Sequence, residues 1–236
     1  MTETAIKVLA TTAMKTVFEE LTPQLQKATG ISVIARFGPS AQIEKRLTEG
    51  ETADVAVLTA AAARDMIARG KVLAGSAIDV ARSSLGVAVQ RGAPWPDISS
   101  AEAFKRALLA AKSVAVSKPV GAGLSGAHMA KVFADLGIAA ALAAKLKYGT
   151  GGVAGLVGLI IERGEAEIGV QQIAELQAVP GIDFVGPLPQ ALQSVTPFVA
   201  AIPASALHPQ AGRRLIEFLI TPQAKRVIKA KGLEPA

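Results

Sequence analysis

The chain has 236 residues, half of them hydrophobic and 4 % aromatic, with 25 Lys and Arg against 19 Asp and Glu for a formal net charge of +6. So much apolar material excludes disorder and is enough for one sizeable core or two smaller ones. The chain has no cysteine, which excludes a disulfide scaffold, thiolate zinc sites and cysteine nucleophiles together. Two histidines, His128 and His208, leave little material for metal or triad chemistry, and no metal or cofactor is expected. Charges alternate in sign along the chain, and one Trp with one Tyr cannot build a stacking platform, so no nucleic-acid partner is expected either. The positive balance fits solubility and a small anionic ligand.

No apolar stretch approaches the ~20 residues of a membrane span. The start, Met1 to Val8, lacks a basic segment followed by an apolar one. Either a leader has been removed, which implies a periplasmic protein, or the protein is cytoplasmic.

In chain order, Ile6–Leu9 reads as a short strand, and Thr11-Thr12 can cap a helix in which Val17, Phe18, Leu21 and Leu25 share one face. Thr29-Gly30 ends that helix, and the β-branched run Ile31–Phe37 is strand-like. Gly38-Pro39-Ser40 turns into a second helix that buries Ile43 and Leu47 and stops at Gly50. Ala53–Leu58 is a nearly continuous apolar run, as in a strand covered on both faces. Strands alternating with helices imply mostly parallel sheets.

A second array follows. Leu85–Gln90 is a strand, the Gly- and Pro-rich stretch Arg91–Pro96 is punctuation, and Ser100–Ala111 is an Ala-rich helix with Ser100 as its cap. Then come strand Ser113–Ser117, loop Lys118–Gly126, a helix from about Ala127 to Leu136, and a short strand at Leu146-Lys147-Tyr148. Gly149-Thr150-Gly151-Gly152 opens a long apolar helix running to about Arg163, and Ala166–Gln171 is a strand. Pro209–Ile220 and Pro222–Lys231 are helices with Pro in the first turn. The fold class is α/β, in two lobes with a ligand cleft between them.

The loop Gly121-Ala122-Gly123-Leu124-Ser125-Gly126 matches G-x-G-x-x-G between a strand and a helix. The acidic residue that a dinucleotide site places about 20 positions on is missing, since the next strand ends Lys147-Tyr148-Gly149. What survives is general: a Gly-rich turn opening a helix offers free N–H groups and partial positive charge to a small anion. Gly38-Pro39-Ser40-Ala41 and Thr11-Thr12 repeat that arrangement. Each hydroxyl alone can be a helix cap; together they face the edge where open α/β sheets bind ligands. There is no G-x-S-x-G elbow for a hydrolase triad. Gln171-Gln172, ending an apolar strand, need partners and either tie loops together or hold a ligand.

These motifs converge on a known pattern. Val8-Leu9-Ala10-Thr11-Thr12-Ala13-Met14, Phe37-Gly38-Pro39-Ser40 and Gly50-Glu51-Thr52-Ala53-Asp54-Val55 resemble the molybdate-binding protein family. Its members are the substrate-binding components of ABC transporters with the type II periplasmic binding protein fold. Arg163–Gln172 and Ile228–Pro235 extend the resemblance over nearly the whole chain. It implies lobe 1 over 1–83 plus 196–236, lobe 2 over 84–195, and two hinge crossings. In that family an oxyanion is held by neutral hydroxyls and backbone N–H groups. The corresponding ligand-binding positions here are Thr11, Thr12, Ala13, Pro39, Ser40, Ser125, Gly126 and Gln172. Ala13 stands where the family has a Ser, and Gln172 where it has a Tyr. The wider family includes binders of organic acids and chains that isomerise aconitate.

The expected function is therefore capture of a small oxyanion or organic carboxylate by a monomer that hands it to an ABC permease. The alternative is isomerisation of a small polycarboxylate on the same fold. An isomerase needs a titratable base, for which His128, Lys15 and Glu44 are the candidates by placement. Lys15 or Arg36 at the ligand favours a carboxylate over molybdate.

Overall fold

A computed structural model describes residues 4–121 and 123–236. Met1–Glu3 and Ala122, on which the leader and G-x-G-x-x-G readings partly rest, lie outside the described residues. The chain divides into two compact units: the segment up to Ser83 with Thr196–Ala236, and Ser84–Val195.

The first unit begins with β1 (Thr4–Thr11), a 3-10 turn (Thr12–Met14), α1 (Lys15–Thr29), β2 (Ile31–Gly38), α2 (Ser40–Thr48), β3 (Val55–Thr59), α3 (Ala60–Ala68) and β4 (Ile78–Ser83). The second unit holds β5 (Leu85–Gln90), α4 (Ala101–Ala110), β6 (Val114–Ser117), α5 (Leu124–Asp135), α6 (Ala139–Leu142) and β7 (Leu146–Gly149). It continues through α7 (Val157–Glu162), β8 (Ile168–Gln172), α8 (Ile173–Gln177) and β9 (Ile182–Pro187). The chain then returns to the first unit as β10 (Thr196–Ala201), α9 (Pro209–Leu219), α10 (Pro222–Ala230) and β11 (Glu234–Pro235).

The first sheet has the order β11-β4-β10-β3-β1-β2 and the second β7-β6-β8-β5-β9. Both are mixed, which corrects the expectation of mostly parallel sheets. The parallel arrays are β2-β1-β3 and β7-β6-β8. β10 runs antiparallel to β3 and β4, and β5 antiparallel to β8 and β9. A parallel neighbour needs a crossover packed on the same sheet. β5 and β10 enter their sheets from the other unit without one.

Helix α1 shows why the local sequence folds as it does. Val17, Phe18, Leu21 and Leu25 are its buried face, and Gly30 ends it with φ 72°, a left-handed value that glycine adopts without steric cost. β3 is buried along its whole length, as a strand covered on both faces must be. Just before it, the buried Asp54 carboxylate accepts the backbone N–H of Lys7 (2.8 Å), Leu207 (2.9 Å) and His208 (2.6 Å). That one side chain ties β1 and the start of α9 to the head of β3. In the second unit the sheet is covered on both faces. Leu85, Phe104, Met129 and Phe133 share one core and Ala115, Val157, Ile161 and Leu176 the other.

Three local expectations change. Helix α5 starts at Leu124, not near Ala127, so Ser125 and Gly126 lie in its first turn and not in a loop. The helix expected to run on to Arg163 is a 3-10 turn, Val153–Gly155, followed by the six-residue α7. Gly151 and Gly152 take φ 80° and 68°, and that glycine density disfavours a continuous helix. Thr11 precedes and Thr12 opens a 3-10 turn, and no side chain caps it; α1 begins only at Lys15.

Candidate functional site

In the first unit the turns after β1, β2 and β3 meet at one sheet edge. Strand β1 lies between the other two, with Thr11 opposite Gly38. The chain turns sharply after Thr11, and Thr12, Ala13 and Met14 are all buried. The hydroxyl of Thr12 is enclosed and no group among the described residues partners it. Buried hydroxyls without a partner are rare because desolvation is uncompensated, so this one calls for an explanation. Beside it, Pro39 is the N-cap of α2, and Ser40 is its first helical residue and makes no cap. The Ser40 hydroxyl instead accepts the Thr59 backbone N–H at 3.3 Å, across the end of β1. Thr59, which sequence reasoning passed over, caps α3 by accepting the Ala62 N–H at 3.2 Å. Thr11, Thr12, Ser40 and Thr59 thus form one hydroxyl-rich edge, with the amides of the first turns of α2 and α3 behind it.

The nearby charges are engaged elsewhere. Lys15 pairs with Glu19 at 2.5 Å. Arg36 is 3.5 Å from Glu51, which also takes Arg46 at 2.5 Å. Glu44 faces α3: burial raises its pKa, and Asp65 adds to the rise while Arg69 opposes it. Neutral hydroxyls and N–H groups therefore make up this edge.

In the second unit the corresponding edge carries the ends of β6, β7 and β8. Ser125 donates to the hydroxyl of Ser117 at 3.1 Å, and both residues are buried. Helix α5 can approach this closely because its next residue is Gly126, where a Cβ would stand 2.2 Å from the Lys118 carbonyl oxygen and 2.5 Å from that of Ser117. β6 and β8 run parallel with Val116 opposite Val170, so Ser117 and Gln171 come next, side by side. The Gln171 side-chain Oε1 accepts the Val157 N–H at 2.8 Å, and burial pushes the carboxyl of Glu175, one turn further on, up to about 7 against the smaller opposite effect of Gln171. Gln172, also buried, ends the strand. Lys118 is exposed immediately after β6 and forms no ion pair among the described residues. His128, on the next turn of α5, donates Nε2–H to the Leu192 carbonyl at 2.8 Å. Glu175 was missed because, as a sequence, it is one acidic residue in a short helix; only the fold encloses it.

Two α/β units, each with polar, glycine-bearing turns at the C-terminal ends of parallel strands, define the class of solute-binding proteins with the type II periplasmic binding protein fold. The chain belongs to the family of bacterial extracellular solute-binding proteins, which it matches over residues 6–234. It is similar to a Pseudomonas aconitate isomerase, 35 % identical over 98 % of this chain and 88 % of that one. The Azotobacter vinelandii periplasmic molybdate-binding protein shares its fold with a TM-score of 0.80 at 22 % identity, over 97 % of this chain and 98 % of the other. The sulfate-binding protein SubI from Mycobacterium tuberculosis does so with a TM-score of 0.75 at 18 % identity, over 99 % and 87 %. No helix among the described residues is long and apolar enough to cross a membrane.

Proposed function

We propose that this chain binds a small polycarboxylate anion and interconverts cis- and trans-aconitate. The observation that carries anion binding is the enclosed, unpartnered hydroxyl of Thr12, set beside Ser40 and the first-turn amides of α2. A carboxylate oxygen gives that hydroxyl the acceptor the fold withholds, and helix-start N–H groups favour negative charge. In the first unit the hydroxyls of Thr11, Thr12 and Ser40 and the backbone N–H of Ala13 are the donors, with Pro39 setting the turn into α2; the second unit has a donor set of its own in Ser125, Gly126 and Gln172. Lys118 adds a charge-assisted contact suited to a multiply charged acid. Likeness to an aconitate isomerase along almost the whole chain supports the choice of acid.

The chemistry is an allylic proton shift. A base removes a proton from the methylene carbon of aconitate, and the electron pair spreads over the three-carbon unit and its carboxylates. The same proton equivalent returns to the opposite carbon. One C=C bond is lost, its neighbour is formed, and no external reagent is consumed. Bound carboxylates held by fixed donors stabilise the charge that develops.

A second reading is capture without chemistry, in which the protein delivers an oxyanion or carboxylate to an ABC permease outside the cytoplasm. The neutral first-unit edge, with Lys15 and Arg36 already paired, favours it. Purified protein mixed with cis- or trans-aconitate and followed by chromatography separates the two. Approach to one equilibrium mixture from both sides is expected. Absence of interconversion, with tight binding of molybdate, tungstate or sulfate in a thermal-shift panel, overturns the isomerase in favour of capture. A ligand at 100 times its Kd stabilises the folded state by about 2.7 kcal/mol, which such a panel detects.

A further inference from the structure

At the end of the second sheet away from the polar edge lies a cavity of about 660 Å³. Val89 pairs there with Ile168 at the start of β8, and Gln90 with Ile182 at the start of β9; Ser117 and Gln172 end their strands at the other edge. The volume lies in the range of small-molecule sites, about 300 to 1,000 Å³. One wall is a face of α4 on which Ala103, Ala107 and Ala110 recur at helical spacing; these short side chains leave room above the helix. The other wall is Pro94-Trp95-Pro96. Trp95 is the one tryptophan of the chain and keeps 62 % of its surface exposed, so a ligand that covers it removes apolar area from water. The loop that carries it is tied down. Arg91 N–H donates to the Gly181 carbonyl at 3.1 Å, Ala93 N–H to the Gln90 carbonyl at 3.0 Å and Gly92 N–H to the Asp183 carboxylate at 2.8 Å. The two prolines fix φ on either side of the indole. The wall is thus in place before anything binds, which lowers the ordering cost of binding.

The polar groups of the lining select the sign of the ligand. Arg106 and Asp97 answer each other: hydrogen bonds from Ser99 first, and then the charge of Arg106, hold the Asp97 carboxyl below its ordinary pKa. Glu167, beside the start of β8, brings a second carboxylate. Its Oε2 accepts the Lys112 N–H at 2.8 Å, while the Lys112 ammonium stands out in solvent, 3.9 Å from Oε1 and beyond a hydrogen bond. The last turn of α4, whose Ala110 lines the cavity, adds partial negative charge and carries no basic residue of its own. Lys145 takes the carbonyl of Leu109, which is not part of the lining. Gln90 donates its Nε2 to the Glu162 carbonyl at 3.3 Å, which leaves its Oε1 as an acceptor. The indole face attracts cations as well. In a chain of net charge +6, this cavity has the opposite preference.

We propose that the cavity binds a small organic cation, a planar apolar group bearing an ammonium, with its ring between Trp95 and the alanine face of α4 and its ammonium at Glu167. The site shares no residue with the polar edges of either unit and does not depend on the aconitate chemistry.

The test uses the full-length chain with phenethylammonium as the probe and phenylacetate as its anionic counterpart. With a single tryptophan in the chain, indole fluorescence reads this site directly. Phenethylammonium is expected to change the Trp95 emission saturably below about 10 mM and to bind at least about tenfold more tightly than phenylacetate. Glu167→Gln keeps an acceptor for the Lys112 N–H and removes the charge; it is expected to weaken phenethylammonium roughly 10- to 150-fold. Ala110→Leu fills the cavity from α4 and is expected to abolish the change in emission. Both positions are exposed, and circular dichroism checks that both variants fold. No saturable change with phenethylammonium overturns the site. Phenylacetate binding as tightly as phenethylammonium overturns the choice of a cation, and so does a loss of less than about threefold in Glu167→Gln. Undiminished binding by Ala110→Leu places the probe elsewhere and overturns the site too. Should either variant fail to fold, the comparison of the two probes on the unaltered chain decides.

Discussion

Replacing Thr12 by Val keeps the outline of a buried side chain and removes a hydroxyl that, alone among the buried side-chain polar groups of the described residues, has no partner. In the ligand-free protein that hydroxyl has given up its hydration and received nothing, which costs about 1 to 3 kcal/mol. Thr12→Val is therefore expected to stabilise the free chain by that amount. At roughly 2 to 4 °C per kcal/mol for a chain of this size, Tm rises by roughly 2 to 12 °C. The effect on ligand binding has the opposite sign. A hydrogen bond to a charged acceptor is worth about 1.5 to 3 kcal/mol, so aconitate affinity falls roughly 10- to 150-fold. Urea unfolding of the free protein and isothermal calorimetry with aconitate measure the two separately. An ordinary packing or capping role for Thr12 predicts lower stability or none of the affinity loss. A variant that is destabilised, or that binds aconitate as before, refutes the assignment of this hydroxyl to an anion.

Ser40→Ala should weaken aconitate binding by a similar 10- to 150-fold. Because Ser40 accepts the Thr59 N–H and does not cap α2, its cost in stability is that of one modest hydrogen bond, about 1 kcal/mol, read from urea unfolding; no loss of affinity sinks its role. Gly126→Ala places a Cβ 2.2 Å from the Lys118 carbonyl. It should destabilise the second unit by about 1 to 3 kcal/mol as α5 is pushed off the end of β6, which denaturant midpoints would show; an unchanged midpoint means the helix yields freely. The raised pKa of Glu175 also links stability to pH. A carboxyl moved from 4.5 to about 7 on folding favours the folded state while protonated. Its contribution is full below about 4.5 and is lost as pH rises through 7. Between pH 5 and pH 8 the unaltered chain should lose roughly 2.5 kcal/mol relative to Glu175→Gln. Parallel pH dependence in the two proteins would place the carboxyl in water.

Periodicity and punctuation carried much of the fold by themselves. Val17, Phe18, Leu21 and Leu25 mark the buried face of α1 because a helix returns to the same side every 3.6 residues. The unbroken apolar run before Thr59 marks a strand covered on both faces, and Ser100 and the prolines at 209 and 222 mark helix starts. These are short-range consequences of covalent geometry, readable from neighbours alone. Other features depended on partners distant in sequence. That β10 pairs antiparallel with β3 and β4, filling the middle of a sheet begun by the first segment, is decided by side-chain packing across more than a hundred residues and leaves no local trace. The start of α5 at Leu124 follows from Gly126 fitting against the carbonyls that end β6, a contact between elements. Ser40 looked like a cap because Ser commonly is one; its hydroxyl went to Thr59 because β1 brings the ends of β2 and β3 to either side of it. Residue type alone placed hydroxyls at Thr12, Ser40 and Ser125. Whether each is satisfied, and how readily Glu175 gives up its proton, is set by desolvation and by groups the chain gathers only on folding, because the field at a buried atom is the sum over everything packed around it.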